Sequence, residues 1–164
     1  MQNRLAKLRK GMSDAGCDAY VTLSPPALAY LAGFHGSTGA VIVTLEEARF
    51  LCDFRYTEQA QSQVTEDFNV SEEKGTLEKR VSERLAALKV TRAGFDPAVT
   101  TVQQRDTLAA AFDGELTAAP HLLSVLRQRK SAEEVARIRS ASELAEGAML
   151  DLLDRLEAGM PERE

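Results

Sequence analysis

Residues 30–44 read YLAGFHGSTGAVIVT, three evenly spaced glycines (Gly33, Gly36 and Gly39) between a short apolar segment and the run Ala40-Val-Ile-Val-Thr44. The spacing satisfies a loose GxxGxxG and invites a dinucleotide reading. The flanks oppose it. A phosphate-cradling loop follows a strand and opens a helix, so that the helix N-terminus faces the anion. Here Pro25 and Pro26 open a helix over residues 26–32 that precedes the loop, and the run after it, apolar at consecutive positions, predicts a strand covered on both faces. The lysine of a P-loop is absent as well. Gly33 is expected to stop the helix in a left-handed conformation, and Gly36 and Gly39 to relieve tight turns. That leaves His35 and Ser37 without an explanation, because loop residues at the surface need some other reason for their identity.

Outward from this loop the chain alternates between helical and strand periods. Leu5, Leu8, Met12 and Ala15 predict an amphipathic helix over 3–15, stopped by Gly16, with a strand over 18–23 after it. Glu46-Glu47 turns the apolar strand back into Arg49-Phe-Leu-Cys52, a hairpin partner. Asp53 stands where an N-cap belongs, ahead of a helix over 54–64 with Tyr56, Ala60 and Val64 at helical spacing. A weak strand over 68–70, a helix over 75–88, a strand over 91–95, a helix over 101–112 and a short edge strand over 116–118 follow. The pattern predicts an α/β fold, a mixed β-sheet flanked by helices. The last third differs: Ser131-Ala-Glu-Glu134 is a capping box, and Val135, Ile138, Ala141, Ala145, Ala148, Leu152 and Leu156 predict one long C-terminal helix of about 28 residues to Gly159. Met160-Pro161 then has the form of a new helix start. A domain boundary is expected near residues 127–131.

Composition narrows the function classes. The 164 residues carry a net charge of −5 with no block of like charges, which argues against a nucleic-acid or anionic-membrane surface. The basic group Arg4, Lys7, Arg9 and Lys10 reads as the solvated face of the first helix. Cys17 and Cys52 read as free buried thiols rather than a disulfide, which suits a reducing cytosol. The N-terminal residues lack the apolar stretch of a signal peptide, and no apolar run spans a bilayer, so a soluble, cytoplasmic protein is expected. His35 and His121 lie in different segments, and no HExxH, HxH or CxxC pair occurs, which disfavours an internal zinc site. Ser37, His35 and Asp53 form a hydrolytic triad only on paper, because Ser37 lacks a nucleophile-elbow context. Asp53-Phe-Arg55-Tyr56 reads either as an N-cap with Arg55 in solvent or as a charge pair at the carboxyl end of a strand, where α/β sheets gather ligands.

Taken together, these segments resemble the N-terminal domain of the creatinase, prolidase and aminopeptidase P family. Residues 30–39 are similar to its "YLTGF.GS.G" loop, with Ala32 for the usual threonine. Residues 51–60 are similar to its "D.RY..QA" helix start, with Phe54 for the frequent glycine. Gly94-Phe-Asp96, the stretch from Leu126 through Lys130-Ser131-Ala-Glu-Glu134 to Ala141, and Gly159-Met-Pro-Glu-Arg-Glu164 follow in the family's order. The resemblance implies a creatinase/prolidase-type N-terminal domain with ribonuclease H-like layering over residues 1–128. It implies that 129–164 hold the linker and first helix of a truncated pita-bread catalytic domain. It also implies an Xaa-Pro dipeptidase or aminopeptidase parent, a homodimer acting on short proline-containing peptides. Two divalent metals (Mn, Co or Zn) would be held by two Asp, one His and two Glu outside residues 1–164. On this view the chain holds no catalytic residue and is inactive alone. Phe34 and His35 are expected to reach the partner's substrate site, Phe34 as an apolar wall and His35 as a proton-sensitive hydrogen-bond group. Asp53 and Arg55 are expected near that substrate too. A structural turn remains the competing reading for the loop. A non-catalytic binding module and a creatinase-like amidinohydrolase are the alternatives for the whole. Without a catalytic-domain sheet to cover them, Leu152, Leu153 and Leu156 are expected to be exposed, and the helix to self-associate or pack back on the domain.

Overall fold

A computed structural model describes residues 2–157, 159 and 160. The chain divides into two compact units, Met1–Arg127 and Gln128–Glu164.

In the first unit α1 (Gln2–Asp14) buries Leu5, Leu8 and Met12 and ends where expected. Gly16 adopts φ 65°, and the Cys17 and Gly16 amides donate back to the Met12 and Ser13 carbonyls at 2.9 and 3.0 Å, a Schellman closure that turns the chain into β1 (Ala19–Thr22). Pro25 and Pro26 fill the first turn of α2 (Pro25–Ala32), and Gly33 caps it at φ 77° with its amide on the Ala29 carbonyl. β2 (Ala40–Thr44) and β3 (Ala48–Cys52) form the predicted antiparallel hairpin. The chain continues through α3 (Thr57–Gln63), β4 (Asn69–Glu72), α4 (Leu77–Ala87), β5 (Arg92–Phe95), α5 (Val102–Ala111), β6 (Glu115–Ala118) and α6 (Leu122–Gln128).

The six strands form one mixed sheet in the order β4-β3-β2-β1-β5-β6. β1 pairs parallel with β5, β5 with β6 and β3 with β4, while β2 is antiparallel to both β1 and β3. Five strands therefore share one direction and only β2 runs against them. The turns after β1, β3, β4 and β5 thus meet the glycine loop, which precedes β2, at a single edge. Alternation along the strands divides the core between the two faces. Tyr20, Val41, Val43, Phe50 and Cys52 join α1, α2, α3 and α6; Val21, Ala40, Ile42, Leu51 and Ala93 join α4 and α5. Burial on both faces explains why β1 and β2 read as continuous apolar runs. Cys17 and Cys52 are free and buried, and burial pushes both thiols up from the ordinary range.

Three elements differ from the sequence reading. The expected helix over 54–64 begins as a 3-10 turn, Phe54–Tyr56, before α3. The Tyr56 amide bonds the Asp53 carbonyl at 3.0 Å, which tightens the first turn. α6 escaped the sequence reading altogether, since seven residues after Pro120 are too few for periodicity to register. His121 takes φ 74° to start it, and Leu122, Leu123 and Leu126 pack against the α1–α2 face. In the second unit α7 spans Ala132–Leu153, shorter than the run to Gly159 expected from spacing. Its capping box is present, but its last turn carries Asp151 and no basic residue, and acid opposes the negative end of the helix dipole. No described residue of α7 is buried, so no packing favours further turns. The helix start expected at Pro161 lies outside the described residues.

Candidate functional site

A cleft of about 360 Å³ opens at the shared edge of the sheet. Leu23 reaches it from the end of β1, Ser37, Thr38 and Gly39 from the glycine loop, and Asp53 and Arg55 from the turn after β3. The first turn of α4 and Gln104 of α5 complete the walls. This is the carboxyl edge of the five co-directional strands, where an α/β sheet leaves a crevice between diverging connections.

Asp53 holds two roles at once. Its Oδ1 accepts the Arg55 amide at 3.0 Å and so caps the 3-10 turn. The Arg55 guanidinium clasps the same carboxylate from two nitrogens, Nε to Oδ1 at 3.0 Å and Nη2 to Oδ2 at 2.7 Å. Hydrogen bonding to Arg55 holds the Asp53 carboxyl below the usual carboxylate range, and Asp53 in turn raises the guanidinium. The two readings of this segment are therefore both physically present: an N-cap, and a charge pair at the carboxyl end of a strand. Phe54 between them points to solvent, 76% exposed.

The glycine loop is packed against the same turn. Phe34 is fully buried, its ring 4.7 Å from Phe50 and 5.9 Å, edge-on, from Tyr56. Phe34, expected as an apolar wall at the partner's substrate site, is here a buried floor on which the loop sits. A Cβ built on Gly36 would lie 2.3 Å from the Phe34 ring and 3.1 Å from Tyr56, so glycine is required there by close approach. His35 is exposed, and its amide donates to Gln63 Oε1 at 3.0 Å. Ser37 Oγ and the Tyr56 hydroxyl share a hydrogen bond of 2.6 Å. Bonds from Ser37 and Thr38 lower the Tyr56 phenol from its ordinary pKa.

Of the four expected site residues, the fold brings Asp53 and Arg55 together in the cleft. His35 stands outside its lining, on the Gln63 side of the loop, and Phe34 belongs to the core. The paper triad does not assemble, because Ser37 is engaged by Tyr56 and Asp53 by Arg55. Spacing placed Tyr56 among the apolar positions of a helix, and the structure makes it a half-buried side chain whose hydroxyl serves the loop. Ser37, left unexplained by the sequence, was the available signal. Among the described residues no three His, Cys, Asp or Glu side chains converge as metal ligands would.

The profile of the Creatinase/Prolidase N-terminal domain matches residues 4–129. The uncharacterized peptidase YqhT of Bacillus subtilis (strain 168) is 31% identical over 160 residues, covering 97% of this chain and 45% of that protein. Among solved structures, the Xaa-Pro dipeptidase from Bacillus anthracis superposes with a TM-score of 0.91 at 25% identity, over 98% of this chain and 45% of its own. The N-terminal domain of the cytoplasmic peptidase PepQ from Mycobacterium tuberculosis H37Rv superposes with a TM-score of 0.70 at 32% identity, over 76% of this chain and 98% of that domain. The chain thus spans less than half the length of the full-length relatives it matches.

Proposed function

The chain belongs to the Creatinase/Prolidase N-terminal domain family, and from that membership we propose that it is the dimerising, substrate-restricting portion of a cytoplasmic Xaa-Pro metallopeptidase. The observation that carries the reading is the near-complete match of this chain to less than half of an Xaa-Pro dipeptidase. In this reading residues 129–164 are the linker and first helix of the catalytic domain. α7 suits that role: its capping box builds a helix locally, while Val135, Ile138, Leu144 and Leu152 face solvent. The catalytic domain would hold the two divalent metals (Mn, Co or Zn), whose chemistry is activation of water and polarisation of the scissile carbonyl. No residue of this chain is assigned a step in that chemistry.

This chain's contribution is shape and contact at a neighbouring copy's cleft. His35 is exposed on a loop whose Phe34 ring packs against Phe50 and Tyr56, and the Asp53–Arg55 pair lies at the same edge of the sheet. A short peptide with proline second is the substrate class.

The test is hydrolysis by the full-length gene product and by residues 1–164, each with Mn, Co or Zn added, on Ala-Pro peptides and on creatine. Cleavage of Ala-Pro peptides by the full-length protein alone is expected. Cleavage of creatine instead would establish the amidinohydrolase reading. No hydrolysis of either, with a downstream sequence lacking the five metal ligands, would leave a binding module.

A further inference from the structure

The glycine loop and the D.RY segment are held to each other by a small set of contacts, and those contacts have a direction. Tyr56 touches the loop twice, its ring edge-on to Phe34 at 5.9 Å and its hydroxyl on Ser37 Oγ at 2.6 Å. Gln63, two turns further along α3, accepts the His35 amide at 3.0 Å, and Gln59 Nε2 donates to the same Gln63 oxygen at 3.2 Å. Between these two tethers Gly36 lies against the Phe34 ring, closer than any side chain would permit. His35 is therefore flanked by an anchored amide on its own residue and an anchored hydroxyl two residues on. A loop with three glycines would otherwise sample many conformations, because glycine restricts the backbone least.

We infer that Tyr56, Ser37 and Gln63 act together as a lock that holds the 33–39 loop in one geometry and thereby positions the His35 imidazole. They are positioning residues. The consequence for catalysis rests on the proposal that His35 meets a neighbouring copy's substrate; the lock itself does not. Loosening the loop lowers the fraction of molecules with His35 in place, and apparent substrate affinity falls by that fraction.

Tyr56→Phe isolates the hydroxyl because the ring and its packing on Phe34 remain. Amide hydrogen exchange of residues 35–38 in the 164-residue chain is expected to quicken about threefold to tenfold in Tyr56→Phe and in Ser37→Ala, the range one hydrogen bond supplies. The double variant is expected to exchange no faster than either single variant, since both remove one bond. Ser37→Thr, which keeps the hydroxyl, is expected to restore slow exchange. A far-UV circular dichroism melt serves as the folding control. Exchange as slow as wild type in Tyr56→Phe and Ser37→Ala would overturn the lock. In the full-length enzyme the same variants are expected to raise KM for an Ala-Pro peptide by a similar factor, with kcat changed less. Faster loop exchange with KM unmoved would uphold the lock and overturn the placement of His35 at a substrate.

Discussion

Residues 2–127 and residues 128–160 obey the same local rules and come to opposite ends. Both carry capping boxes, Thr101 with Gln104 in α5 and Ser131 with Glu134 in α7. In the first unit every helix from α1 to α6 buries at least one side chain against a sheet whose two faces are both covered. In α7, 22 residues long, no described residue is buried, and Leu152 and Leu153 stand 52% and 56% exposed. Local signals suffice to start a helix, whereas burial of an apolar face decides how far it runs and what it contributes to stability. The first unit has a core on both faces of its sheet, and α7 has no buried side chain among its described residues.

The largest effect is expected at the junction of the sheet and the loop floor. Phe50→Ala removes a fully buried ring that supports Phe34, and the loss should approach about 3–5 kcal/mol in urea unfolding followed by circular dichroism. A loss below about 1 kcal/mol would mean that the first unit's core is no better packed than α7. Gly36→Ala comes next. Its Cβ would meet the Phe34 ring at 2.3 Å, and overpacking of this kind costs about 1–3 kcal/mol in the same assay.

A pH dependence probes the strand side of the comparison. Asp18, immediately before β1, accepts the Thr91 hydroxyl and the Thr91 and Arg92 amides, the latter two at 2.8 and 3.0 Å, tying the entry of β1 to the entry of β5. The Thr91 hydroxyl is the main cause of its depressed carboxyl pKa. A depressed folded-state pKa contributes stability that is complete above the unfolded-state value, about 3.9, and is lost as pH falls through the folded value. Asp18→Asn should therefore cost stability at pH 7 and flatten the acid limb of the stability curve below about pH 4. An unchanged acid limb would refute the assignment. The smallest effect belongs to α7: Leu144→Ala, at a position 77% exposed, should shift unfolding by less than about 0.5 kcal/mol. Exposure of Leu152 and Leu156 should instead appear as concentration-dependent association in sedimentation, weakened by Leu152→Asp.

Most of the fold was legible because its signals are local. Gly16 and Gly33 stop their helices in the left-handed region, the two prolines open α2, and the apolar run over 40–44 becomes a strand buried on both faces. The errors fall where local pattern and tertiary contact disagree. Tyr56 sits at a helical interval yet belongs to a 3-10 turn, because Asp53 draws the chain tight. Phe34 lies in an exposed-looking loop yet is buried, because the turn after β3 offers its ring a place between Phe50 and Tyr56. α6 is too short to announce itself and exists because the α1–α2 face accepts its leucines.

By itself the sequence determined the alternation of helices and strands, the hairpin at 40–52 and the identity of the two segments that mark the family. Each depends on residues within a few positions of one another, through backbone sterics, capping and side-chain period. Only the tertiary structure decided that Asp53 and Arg55 share a cleft with Ser37, that Phe34 is floor rather than wall, and that Tyr56 and Gln63 hold the loop that carries His35. Those facts depend on strand order and direction, which bring residues 33–39 and 53–63 to one edge of the sheet, and chain periodicity carries no record of that pairing.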